Sequence, residues 1–149
     1  MERPSRDLYF LAMARLVATR STCLRLKVGA VLVDGENHVL STGYCGAPKG
    51  LPHCTRSTCK DDDRCHLTVH AEANAIIFAP RPAGTGRTLY VTHFPCDECA
   101  RLIVQAGIAR VVFVHPYRAA ITTPIVFTEA GVKMRKYREE EVDDAFDLE

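Results

Sequence analysis

Between Tyr44 and Val69 the chain loses all hydrophobic periodicity and becomes rich in Gly, Pro, Cys, Asp and Thr. A compact domain seldom carries a structureless loop beyond ~12–15 residues, so something other than a regular backbone ladder must order this stretch. Its cysteines, Cys54, Cys59 and Cys65, suggest what that is. The sequence holds seven cysteines in 149 residues, an odd number, and Met1 to Asp7 contains no apolar signal core. A secreted disulfide framework is therefore disfavoured, and metal ligation is the favoured use of the thiols.

On either side of this stretch the pattern is regular. Ser5 is placed to cap a helix over residues 6–20, with Leu8, Leu11, Met13, Leu16 and Val17 as its apolar stripe. Residues 28–33 read as a buried strand, Asp34-Gly35 as the turn and residues 38–43 as the returning strand. Further helices are expected over 70–79, 96–106 and 123–130, and strands over 88–92, 110–115 and 132–137. Strands alternating with helices after an opening hairpin imply an α/β domain whose mixed sheet is flanked by helices. One domain accounts for residues 1–149, with a core over about 5–137 and a frayed, solvated acidic tail over 138–149. No run approaches the ~18 apolar residues of a membrane span, so a soluble, cytoplasmic protein without a membrane partner is expected. The formal net charge of +1 lacks the basic excess with which proteins grip long nucleic acid, which favours a small-molecule substrate.

The chemistry concentrates in His70-Ala71-Glu72 and, one helix and strand later, Pro95-Cys96-Asp97-Glu98-Cys99. His70, Cys96 and Cys99 supply three protein ligands, the number a catalytic zinc takes while keeping a fourth position for water. Both ligand groups open helices, where unpaired N–H groups and the positive dipole end stabilise thiolate. Glu72 stands two residues from the histidine, in reach of that water as an acid/base. A Cys-x-x-Cys alone could be a redox pair or half a structural zinc site. The order His-x-Glu, then Pro-Cys-x-x-Cys, is the pattern of zinc deaminases, in which a metal-activated water attacks C4 of cytosine and the glutamate shuttles protons.

With these residues in place, the chain resembles the cytidine and deoxycytidylate deaminase superfamily, most closely the bacterial and phage dCMP deaminases. The likeness runs from about Tyr9 to Lys136. It includes Arg20-Ser21-Thr22-Cys23, Gly43-Tyr44-Cys45-Gly46, Val69 to Ala75, Tyr90 to Cys96 and Gln105-Ala106-Gly107. The resemblance implies a three-layer α/β/α sandwich with a mixed five-stranded sheet, a homo-oligomer, usually a hexamer, and hydrolysis of dCMP to dUMP and ammonia. It also implies a second, structural zinc held by Cys23, Cys54, Cys59 and Cys65, with His53 and His66 as rival ligands. Arg25, Tyr117 and Arg118 match positions that bind the 5′ phosphate in similar enzymes. Ala71 and Phe94 fall among the substrate contacts, Phe94 being equally readable as core. Cys45 departs from the family pattern, which usually has an asparagine contacting the sugar hydroxyl; a thiol lacks the amide's paired donor and acceptor. A deaminase of another cytosine nucleoside, nucleotide or aminated heterocycle is therefore the alternative. A non-catalytic zinc-stabilised module is the alternative of another class, and Glu72 argues against it.

Overall fold

Strand β1 (Gly29–Val33) is buried along its whole length, which requires a sheet covered on both faces. The computed structural model describes residues 2–55, 67–81 and 85–146. Helix α1 (Arg6–Ala18) precedes β1, and β2 (Val39–Tyr44) follows it. Then come α2 (Ala71–Ile77), β3 (Thr88–His93), α3 (Asp97–Gln105), β4 (Arg110–His115), α4 (Thr123–Ala130), β5 (Lys133–Lys136) and α5 (Glu139–Asp144). The five strands form one sheet in the order β2-β1-β3-β4-β5. β1 runs antiparallel to β2 and β3, whereas β3, β4 and β5 are mutually parallel and joined by α3 and α4. Alternation along the strands divides the core in two. Ala30, Leu32, Leu89, Val91 and Val111 pack with residues of α2, α3 and α4, whereas Val31, Val33, Tyr90, Val112 and Val114 pack with α1 and α5. This is the expected mixed-sheet sandwich.

Two glycines set how closely the helices lie. A Cβ on Gly29 would stand 2.1 Å from the Ala14 carbonyl oxygen of α1, and one on Gly43 would stand 2.2 Å from the Ala71 carbonyl oxygen of α2. Neighbouring strands thus admit backbone-to-backbone contact with helices on the two faces. The consequence for α1 corrects its expected stripe. Its buried residues are Phe10, Leu11, Ala14 and Ala18, while Leu16 is 71% exposed. Over Gly29 the helix presents Ala14 and Ala18, because it lies too near there for large side chains.

The long unpatterned stretch is closed at its base. Gly46 and Val69 form an isolated antiparallel bridge, their N–H groups donating at 3.2 and 2.8 Å. The Cys45 carbonyl accepts from Thr22 N–H at 3.1 Å and Ser21 Oγ at 2.8 Å, tying the start of the stretch to the α1–β1 connection.

The C-terminal segment differs from the frayed tail expected over 138–149. Residues 139–144 form α5, and Val142 is 1% exposed beneath it against the α1 face. Glu141 Oε2 accepts from Arg138 N–H at 2.8 Å while Glu141 N–H donates to the Arg138 carbonyl at 3.2 Å, and three glutamates in the first turn complement the helix dipole. One apolar anchor in an acidic run is enough here, because the cap holds the turn while the sheet layer buries the valine.

Candidate active site

His70 and Cys96 are N-cap residues, both in extended conformation, so α2 and α3 begin one residue after each of them. His70 makes no side-chain capping bond. Its Nδ1 instead lies 3.4 Å from Cys96 Sγ and 3.4 Å from Cys99 Sγ. The ligand atoms of all three residues fall within 4.8 Å of one another. Tetrahedral zinc with Zn–S near 2.3 Å and Zn–N near 2.05 Å separates N from S by about 3.5 Å. The donor set therefore fits zinc in type, number and spacing.

The same cluster is a proton store without the metal. The Cys96 thiol is pushed down to about 4, chiefly by the hydrogen bond from Cys99, with burial opposing and His70 and the Cys99 backbone N–H adding to the effect. His70 is raised to about 9 by its bond to Cys96, against burial. The Cys99 thiol is pushed far up by its bond to Cys96 and by burial. Metal binding needs both thiols deprotonated and His70 neutral, so it releases protons from this cluster. Glu72 is 4% exposed and accepts from Cys99 Sγ at 3.7 Å. Burial pushes its carboxyl up to about 7, against its own backbone hydrogen bond and the charge of His70.

A cavity of about 520 Å³ opens over this cluster at the C-terminal ends of β3 and β4, with His70, Glu72 and Cys96 in its wall. Cys23, Arg25, Cys45, Phe94, Tyr117 and Arg118 line the same space. Phe94 lines the cavity, and its ring packs in the core 4.4 Å from Phe113 and 6.0 Å from Phe127. Ala71 does not line the cavity; its side chain is fully buried in the core beneath α2. Cys54 is buried and His53 exposed, while Cys59, Cys65 and His66 lie outside the described residues.

Two cavity residues have no counterpart in the sequence reading. His93 and His115 end β3 and β4, pair in register, and stack with ring centroids 4.8 Å apart. A histidine at a strand end carries no periodic signal. Only the parallel register places the two side by side.

Residues 4–115, from before α1 to the end of β4, match the profile of the cytidine and deoxycytidylate deaminase zinc-binding region. The chain belongs to the cytidine and deoxycytidylate deaminase family. The deoxycytidylate deaminase of Mycobacterium phage D29 is 44% identical over 128 residues, covering 76% of this chain and 97% of the phage protein. The Schizosaccharomyces pombe deoxycytidylate deaminase is 40% identical over 146 residues, or 91% of this chain, which spans only 45% of the yeast protein. The cyanophage S-TIM5 dCMP deaminase, solved in complex with dCMP and dUMP, superposes with a TM-score of 0.77 at 30% identity. That likeness covers 92% of this chain and 100% of the phage chain.

Proposed function

We propose that this chain hydrolyses dCMP to dUMP and ammonia. The observation that carries the reading is Glu72, a buried carboxyl beside the His70, Cys96 and Cys99 ligand set, facing a cavity that also holds Arg25 and Arg118. Deamination needs an acid/base at a metal centre, and a nucleotide needs cations at a distance from it. Both are present in one cavity, and relatives bearing the deoxycytidylate deaminase name support the same substrate.

His70, Cys96 and Cys99 would hold a zinc ion, which when bound would act as a Lewis acid and make a water acidic near neutral pH. Glu72 takes a proton from the attacking water as its oxygen adds to C4 of the base. It delivers that proton to the ring nitrogen, then carries the proton of the new C4 hydroxyl to the amino group; the C4–N bond breaks as C4=O forms, and ammonia leaves. A carboxyl pushed by burial to about 7 exchanges protons readily at neutral pH. Arg25 and Arg118 can each offer a planar pair of N–H donors to the 5′ phosphate, with Tyr117 between them and the base. Cys45, in the cavity wall, takes the place facing the sugar, and Phe94 packs against the base.

A second, structural zinc on Cys23, Cys54, Cys59 and Cys65 completes the proposal. Cys23 and Cys54 are both buried, as closed zinc ligands are. Two zinc ions per chain by metal analysis, falling to one in Cys54→Ser, is the expected result; one zinc in the unmodified protein would refute it. We place the enzyme in the cytoplasm as a homo-oligomer, a hexamer by family resemblance.

The deciding experiment is ultraviolet-monitored deamination by the zinc-loaded protein, with dCMP, CMP, deoxycytidine and cytidine run in parallel. Preference for dCMP is the expected outcome. Preference for another of the four would move the substrate and point to Cys45, and no turnover with zinc bound would overturn the reading.

A further inference from the structure

Resting on the nucleotide reading above, we propose that His115 is a specificity-determining residue that contacts the substrate's 5′ phosphate, with Glu139 of α5 as its positioning residue. His115 lines the cavity and begins the run His115-Pro116-Tyr117-Arg118, every member of which faces that space. It shares the cavity wall with Arg118 and lies outside the ligand cluster of His70, Cys96 and Cys99. Three contacts fix the ring. Its backbone carbonyl accepts from Phe94 N–H at 2.8 Å. Its imidazole stacks on His93, the planes 36° apart. Its Nε2 lies 3.9 Å from Glu139 Oε1, which leaves Nδ1 for a second partner.

His93, the other ring of the stack, is held by its own partners. Thr92 Oγ1 accepts from Gly29 N–H at 3.3 Å and lies 2.9 Å from His93 Nδ1. This contact ties the His93 ring to the Thr92 hydroxyl and fixes its orientation. Burial, with the charge of His115, pushes His93 down to about 4, so the inner ring stays neutral. Two imidazolium rings at 4.8 Å would repel one another. With Nε2 turned toward Glu139, the other ring nitrogen of His115 is placed to meet a phosphate oxygen, with Arg118 in the same cavity wall. A nucleoside presents no phosphate, so the contact discriminates by charge. Through Glu139 the C-terminal helix becomes part of the substrate wall, although it contributes no residue to the metal centre.

The test compares zinc-loaded wild type, His115→Gln and Glu139→Gln with dCMP and deoxycytidine. Calorimetric titration with dUMP and deoxyuridine reads binding independently of turnover. His115→Gln should raise KM for dCMP and Kd for dUMP about tenfold, the size of one charge-assisted hydrogen bond, and leave kcat and both nucleoside constants within about twofold. Glu139→Gln should move the same two constants in the same direction by roughly two- to threefold. Equal losses for nucleotide and nucleoside, or an unchanged dUMP affinity in His115→Gln, would overturn the proposal and leave the nucleotide reading standing. Wild-type protein that binds deoxyuridine as well as dUMP would instead overturn the nucleotide reading itself, and the proposal with it.

Discussion

Asp7 of α1 and Glu72 of α2 are carboxylates drawn into the molecule on opposite faces of the sheet, and their surroundings treat them in opposite ways. Burial pushes both toward the neutral acid. At Asp7 that push is reversed. Arg110 donates from both terminal nitrogens at 2.8 and 2.5 Å, and the hydroxyls of Tyr90 and Tyr137 donate at 2.9 and 3.0 Å. The carboxyl is held below its ordinary value, and one side chain pins α1 to β3, β4 and the residue after β5. Glu72 receives a weak sulfur contact from Cys99 instead of such a set of donors, so burial prevails and its carboxyl rises to about 7. A buried carboxylate held by two tyrosine hydroxyls and a guanidinium is a strut, and one with weaker partners beside a ligand set is suited to be a reagent.

The sharpest way to break this comparison is to neutralise each carboxyl in turn. Glu72→Gln keeps shape and burial and removes the proton shuttle. We expect kcat for dCMP to fall by at least about 10³-fold with the zinc content unchanged by metal analysis. A variant that lost zinc as well would make Glu72 part of the metal cage. Asp7→Asn should do the reverse, leaving kcat within about twofold and costing about 2 kcal/mol, read as a Tm lower by roughly 4–8 °C. The sign with pH follows from the depressed folded value. The stability contributed by Asp7 is fully present above its unfolded value of 3.8 and is lost as pH falls through the lower folded value. The Tm difference between wild type and Asp7→Asn should therefore narrow below about pH 4. The smallest effect is expected at Val142→Ala, which should cost about 1 kcal/mol in denaturant unfolding because α5 can settle into part of the space. If it proved neutral, α5 would not belong to the layer that Asp7 braces.

The same contrast marks what could be read from the chain. His70, Glu72, Cys96 and Cys99 were legible because ligand chemistry dictates residue type and helix starts dictate spacing. The strands were legible from their β-branched runs. Asp7 gave no signal as a strut, since its partners Tyr90, Arg110 and Tyr137 lie far along the chain and meet it only once the sheet order exists. The stack of His93 on His115 was hidden for the same reason, being a product of parallel register. The buried face of α1 was misread at Leu16 because periodicity ranks residues by size, whereas the close approach over Gly29 selects the small ones. The helix after β5 was missed because a single valine among acids has no period to detect.

The bridge between Gly46 and Val69 bears on how such a chain can change over time. Once two ends are clamped, lengthening the intervening segment costs little chain entropy, about 0.6 kcal/mol for each doubling. One clamped end leads directly into His70 and the other into the β2 edge, so neither moves when residues are added or removed between them. Changes of length there leave both clamped ends in place as long as the cysteines proposed to hold the second zinc are kept, so the metal centre at His70 is insulated from them.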